Sequence, residues 1–127
     1  MAELAGPDVS LEPNLAQPIS MALHELATNA VKYGGLSRAG GGVRVEWELA
    51  NLSTLLLLRW SEHGGPPLPG PPQRRGFGTR VLEATVQEQL GGRLQRHWHD
   101  QGLVVELQVP LRRRGLATEP MPVLATA

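Results

Sequence analysis

Between Leu15 and Tyr33 the apolar residues Ile19, Ala22, Leu23, Leu26, Ala27 and Ala30 return every three or four positions. That period belongs to a helix and places all six on one side. A helix with so broad an apolar back needs a second layer to cover it. Its front carries Glu25, Asn29 and Lys32, spaced four and three apart, so a carboxylate, a carboxamide and an ammonium share one stripe. Such a front can be an ordinary solvated face. It can equally offer an acid, a neutral oxygen and a cation to a metal-bound phosphate, and spacing alone leaves both readings open. Asn14 is the expected cap, Pro18 falls in the first turn where a missing amide hydrogen is tolerated, and Gly34-Gly35 ends the helix.

The covering layer is written further along the chain. Val43, Val45, Trp47 and Leu49 alternate with Arg44, Glu46 and Glu48, which predicts a half-buried strand. After a turn at 51–53, Thr54 to Glu62 is more continuously apolar and reads as a central strand paired with the first. A second helix is expected from about Thr79 to Leu90, with Val81, Leu82, Thr85, Val86 and Leu90 on one side and Gly91-Gly92 as its stop. Arg93–His99 and Leu103–Val109 form another hairpin. Helix, hairpin, loop, helix, hairpin predicts an α+β fold: a two-layer sandwich with a mixed, mostly antiparallel sheet and the helices on one face. Residues 1–13 read as an extended segment with Val9 and Leu11 in a short strand, 14–111 as the domain, and 112–127 as a mobile tail.

The stretch 64–78 cannot be regular structure. Pro66, Pro67, Pro69, Pro71 and Pro72 stiffen its middle, glycines stand at both ends, and Arg74 and Arg75 add positive charge just before a helix start. A loop of this kind is a lid or binding loop, or else a disordered insertion. Exposed amide hydrogens and the helix dipole favour an anion at its far end.

Composition narrows the classes. There is no cysteine, which excludes disulfides, thiolate metal sites and thiol chemistry. The formal net charge of +0 argues against nonspecific nucleic-acid binding. No apolar run reaches spanning length, so no membrane contact is expected and a cytoplasmic location is the default.

Three segments together form a recognisable arrangement. His24-Glu25-Leu26-Ala27-Thr28-Asn29-Ala30-Val31-Lys32-Tyr33-Gly34 resembles the N box of sensor histidine kinases, in the form found in the HWE subfamily. Trp60-Ser61-Glu62-His63-Gly64-Gly65-Pro66 resembles their first glycine box, and Gly76-Phe77-Gly78-Thr79 the second. The resemblance spans roughly Gly6 to Pro110 and implies the Bergerat fold of the GHKL ATPases, with ATP and Mg2+ as ligands. It implies Asn29 as the magnesium ligand and Glu25 as the acid beside it. Lys32 and Tyr33 would reach the nucleotide. Glu62 takes the place of the usual aspartate that accepts the adenine amino group, one methylene longer, beside Gly64 and Gly65. Arg75, Gly76, Phe77, Gly78 and Thr79 would shape the phosphate end, with Arg74 a weaker contact. His24 belongs to the subfamily pattern and is read as structural, not as the phosphorylated histidine.

In the family an upstream two-helix dimerisation segment carries that histidine, and too few residues precede the first helix here to form it. The implied partners are therefore a histidine-bearing dimerisation domain and, through it, a response regulator. A stand-alone serine/threonine kinase of the anti-sigma-factor type and a non-catalytic regulator with the same fold are the competing readings. A transition-metal site built on His97 and His99 with His63 or His24 is a minor one, since no carboxylate or cysteine stands at ligand spacing nearby. Trp47, Trp60 and Trp98 are expected in the core.

Overall fold

The computed structural model describes residues 2–66 and 77–111. Its elements run β1 (Ala2–Ala5), α1 (Pro13–Tyr33), β2 (Gly42–Ala50), β3 (Leu55–His63), α2 (Phe77–Ala84), a π-helical turn (Thr85–Gln89), β4 (Arg93–His99) and β5 (Gly102–Pro110). The five strands form one sheet in the order β1-β2-β3-β5-β4. β1 runs parallel to β2 and every other pairing is antiparallel, which is the mixed sandwich expected. β3, the strand with the most continuous apolar run, is the central one.

One core joins the layers. Ile19, Ala22, Leu26 and Ala30 of α1 meet Val43, Val45, Leu56, Leu58 and Trp60 of the sheet. Leu82, Val86 and Leu90 join them from the second helical segment, and Val105, Leu107 and Val109 from β5. Leu26, Leu82 and Leu107 are each 2% exposed, so each contributes roughly 1.5–3 kcal/mol by leaving water. The opposite sheet face stays polar. There Arg44 bonds Glu3 at 3.1 Å and Glu46 at 3.3 Å, tying the short edge strand to its neighbour.

Several local expectations are corrected. The first helix begins at Pro13, its N-cap is Glu12 without a side-chain capping bond, and Asn14 is already helical. Pro13 thus takes the tolerated first position, and Pro18 lies inside the helix, buried, instead of in the first turn. The N-terminal strand is Ala2–Ala5, not the Val9–Leu11 region. Segment 6–11 instead leaves the sheet over Trp47, whose indole donates to the Pro7 carbonyl at 2.7 Å. The second helix starts at Phe77, before Thr79, and passes into the π turn closed by Leu90 N–H to Thr85 O at 3.0 Å. Most of the proposed lid, with Arg74, Arg75 and Gly76, and the C-terminal tail lie outside the described residues.

Candidate nucleotide site

Two elements converge at one end of the sheet. Glu25, Asn29 and Lys32 follow Met21 along one flank of α1. Met21 touches the π turn, with the Thr85 hydroxyl 3.7 Å from its sulfur, so this flank faces the second helical segment. α1 ends beside Glu62 where β3 stops, whereas the second helical segment ends just before Gly92, which lies against Gln108 toward the far end of the sheet, so the two run antiparallel. Eight residues onward from Met21 and eight back from Thr85 bring Asn29 level with the start of α2. Glu25 and Asn29 are partly buried and Lys32 is exposed. Among the described residues the side chains of these three have no hydrogen-bond or ion-pair partner. The other flank of α1 is apolar: Leu23 and Ala27 line a groove with Leu11, Val45 and Leu58.

Glu62, next to last in β3, is only 7% exposed. Its carboxylate is bonded on both oxygens. The Gly35 amide donates to Oε1 at 3.0 Å and the Trp60 indole donates to Oε2 at 2.9 Å. Around it the chain is built of glycine. A Cβ on Gly34 would overlap Glu62 Oε1, and one on Gly102 would overlap the Glu62 carbonyl. Gly65 lies over the Gly34 backbone and Gly64 against Gly41. Only bare backbone lets three loops meet within van der Waals distance here.

The structure therefore gathers Glu25, Asn29, Lys32, Glu62, Gly64 and Gly65 at one end. Tyr33, at 68% exposed, stands at the mouth of that end. The helix that carries Phe77, Gly78 and Thr79 starts there as well. His24 is exposed and lines the groove on the other flank of α1, with Leu23 and Ala27. Trp60 heads the first glycine box and was expected to pack in the core or flank the pocket; it is buried and is also a donor to Glu62. Strand parity was the available signal, because residues two apart share a face. Gly34 and Gly35 were read only as a helix stop, and nothing local marked Gly102.

His97 is not alone on its strand. Its Nε2 lies 2.9 Å from Glu106 Oε1, and its ring stacks on His99 with centroids 6.2 Å apart. The carboxylate arrives across the β4–β5 pairing, which the linear sequence hides. Even so, no group of three or more His, Cys, Asp or Glu that could hold a metal occurs among the described residues.

Known proteins are similar to this chain in sequence and in fold. A blue-light-activated histidine kinase of Rhizobium johnstonii is 39% identical over 107 residues, covering 83% of this chain and 30% of that protein. The solved blue-light activated histidine kinase of Erythrobacter litoralis EL346 superposes with a TM-score of 0.75 at 22% identity, over 87% of this chain and 35% of that one. The chain is similar in sequence and in fold to one segment of these histidine kinases. The nucleotide-free catalytic domain of the histidine kinase ThkA matches at a TM-score of 0.64 and 18% identity, covering 87% of this chain and 78% of that domain. ThkA also matches in its complex with the response regulator protein TrrA, at a TM-score of 0.63 and 17% identity, over 87% of this chain and 34% of that one. No protein-family model matches the sequence. The chain spans about 30% of the length of the Rhizobium relative, so most of that protein lies outside the matched region. Among the described residues no helix is long and apolar enough to cross a membrane.

Proposed function

We propose that this domain binds magnesium-ATP and delivers the γ-phosphoryl group to a histidine on a separate dimerisation domain, as the catalytic domain of a cytoplasmic two-component sensor kinase of the HWE type. The observation that carries the reading is the convergence of two partner-free oxygen ligands on α1, Glu25 and Asn29, with the buried carboxylate of Glu62 at the same end of the sheet. A carboxamide and a carboxylate one helical turn apart are hard oxygen donors and fit a magnesium ion that keeps several waters. Bound there, the ion would neutralise phosphate charge.

The rest is the work of this chain's own groups. Asn29 and Lys32 hold the triphosphate, Glu25 sets the geometry around it, and Glu62 accepts from the base amino group. Gly64 and Gly65 let backbone close on the ligand. An unprotonated imidazole nitrogen brings its electron pair to phosphorus while the bond to the bridging oxygen breaks and ADP leaves. Such transfer depends on placement and electrostatics more than on covalent help from the enzyme. The acceptor and a downstream response regulator are the partners of this reading. ThkA, seen with a response regulator, is a relative in fold that supports it.

Titration calorimetry with magnesium-ATP tests the site. Wild-type protein should bind, and Asn29→Ala should weaken binding by about a hundredfold, as loss of a polar contact to a charged ligand implies. Radiolabelled ATP should leave no acid-labile label on the isolated chain until a histidine-bearing dimerisation domain is added. Binding that Asn29→Ala leaves untouched would sink the reading.

A further inference from the structure

The Trp60 indole is 5% exposed on the helix-facing side of β3, two residues before Glu62. It donates to Glu62 Oε2 at 2.9 Å while the Gly35 amide takes Oε1 at 3.0 Å. An ionised carboxylate has about four lone-pair sites and no donor. One site on each oxygen is filled, and one on each is left. The two donors come from different elements, the central strand and the loop after α1, so together they fix the plane of the carboxylate. Gly34 closes a further side, since no Cβ fits between its backbone and Oε1.

The geometry points to Trp60 as a positioning residue for base recognition. With Gly35 it holds Glu62 so that the carboxylate accepts the amino group of a 6-aminopurine and opposes the carbonyl of a 6-oxopurine. This rests on the nucleotide reading above and names what makes it selective. A free glutamate side chain could swing aside from a purine carbonyl, or tilt toward a ring N–H. The pinned one cannot, because any such move strands a buried indole or backbone N–H without an acceptor. Rejection that works through stranded polar groups is far stronger than rejection by shape. The same pinning explains how a glutamate, longer than aspartate and with one more rotatable bond, can present a single acceptor geometry.

The 127-residue chain is titrated with magnesium-ATP and magnesium-ITP in three forms: wild type, Trp60→Phe, and a form whose residue 60 carries benzothiophene for indole. The last exchanges N–H for sulfur at nearly constant shape, so it serves even where the phenylalanine variant does not fold. ATP affinity is expected to fall about tenfold in the variants while ITP affinity changes less than about threefold, so that the preference for ATP narrows. An equal loss for both nucleotides, or no loss for either, in the benzothiophene form overturns the inference and leaves Trp60 as core packing. Wild-type protein that binds neither nucleotide removes the nucleotide reading and this inference with it. Wild-type binding with an unaltered preference in the variants removes this inference alone.

Discussion

At the end of the sheet where β2 begins and β3 stops, backbone packs on backbone. At the opposite end, where β2 turns into β3, the chain stands open and twisted. The first end spends its glycines on space: Gly34, Gly35, Gly41, Gly64, Gly65 and Gly102 all lie where a Cβ would meet another loop or Glu62. The second end has three consecutive non-glycine residues in the left-handed region, Asn51, Leu52 and Ser53, with φ of 53°, 57° and 66°. Leu52 there is 99% exposed. Thr54 closes that turn, its hydroxyl donating to the Asn51 carbonyl at 2.7 Å. Local strain is tolerated where nothing has to fit, and glycine is placed where loops must approach a buried carboxylate. The strained end is a connection, and the packed end is the candidate site.

Gly102→Ala should break the packed end most severely. At φ of 148° the new Cβ would overlap the Glu62 carbonyl, which is backbone and cannot swing away. Urea unfolding should report a loss of about 3 kcal/mol, from backbone strain and overpacking together. A loss below about 1 kcal/mol would mean that the two loops are not in firm contact.

Gly34→Ala presses on a different kind of neighbour. Its Cβ meets the Glu62 carboxylate, the far end of a side chain that can rotate. The stability cost should stay near 1 kcal/mol, at the low end of overpacking effects. Nucleotide affinity measured by calorimetry should drop about tenfold, because the moved carboxylate gives up its Gly35 bond. Large destabilisation with intact binding would reverse this assignment.

Leu52→Gly should improve the open end slightly. Relief of the left-handed backbone offsets the added freedom of the unfolded chain, for a net gain of about 0.5 kcal/mol. A thermal midpoint that rises by roughly 2–4 °C would register it, with nucleotide binding unaltered. A fall in the midpoint would show that the exposed leucine is held by contacts the static picture lacks.

Much of the scaffold was legible along the chain. The three-to-four period of Ile19 to Ala30 marked the buried side of α1, the alternation from Val43 to Leu49 marked β2, and the apolar run at 54–62 marked the central strand. Glu25, Asn29 and Lys32 could be placed on one stripe by helical geometry alone, and the three boxes pointed to the family. The misplaced features are those where neighbours compete for the same signal. Two prolines suited a helix start, and Pro13 rather than Pro18 took it. A four-residue strand, Ala2–Ala5, carries no period of its own and exists because β2 offers an edge.

Residue order by itself determined which segments are helix or strand, which face of each is apolar, and which polar groups share the α1 stripe, because these follow from periods of about 3.6 and 2 that adjacent side chains express directly. Only the tertiary structure decided that the two hairpins join through β3 and β5, that α1 turns its polar flank to the second helical segment, and that Glu62 is gripped by Trp60 and Gly35. Those outcomes depend on contacts between residues far apart in the chain, whose hydrogen bonds and close backbone approaches form only once the layers have packed.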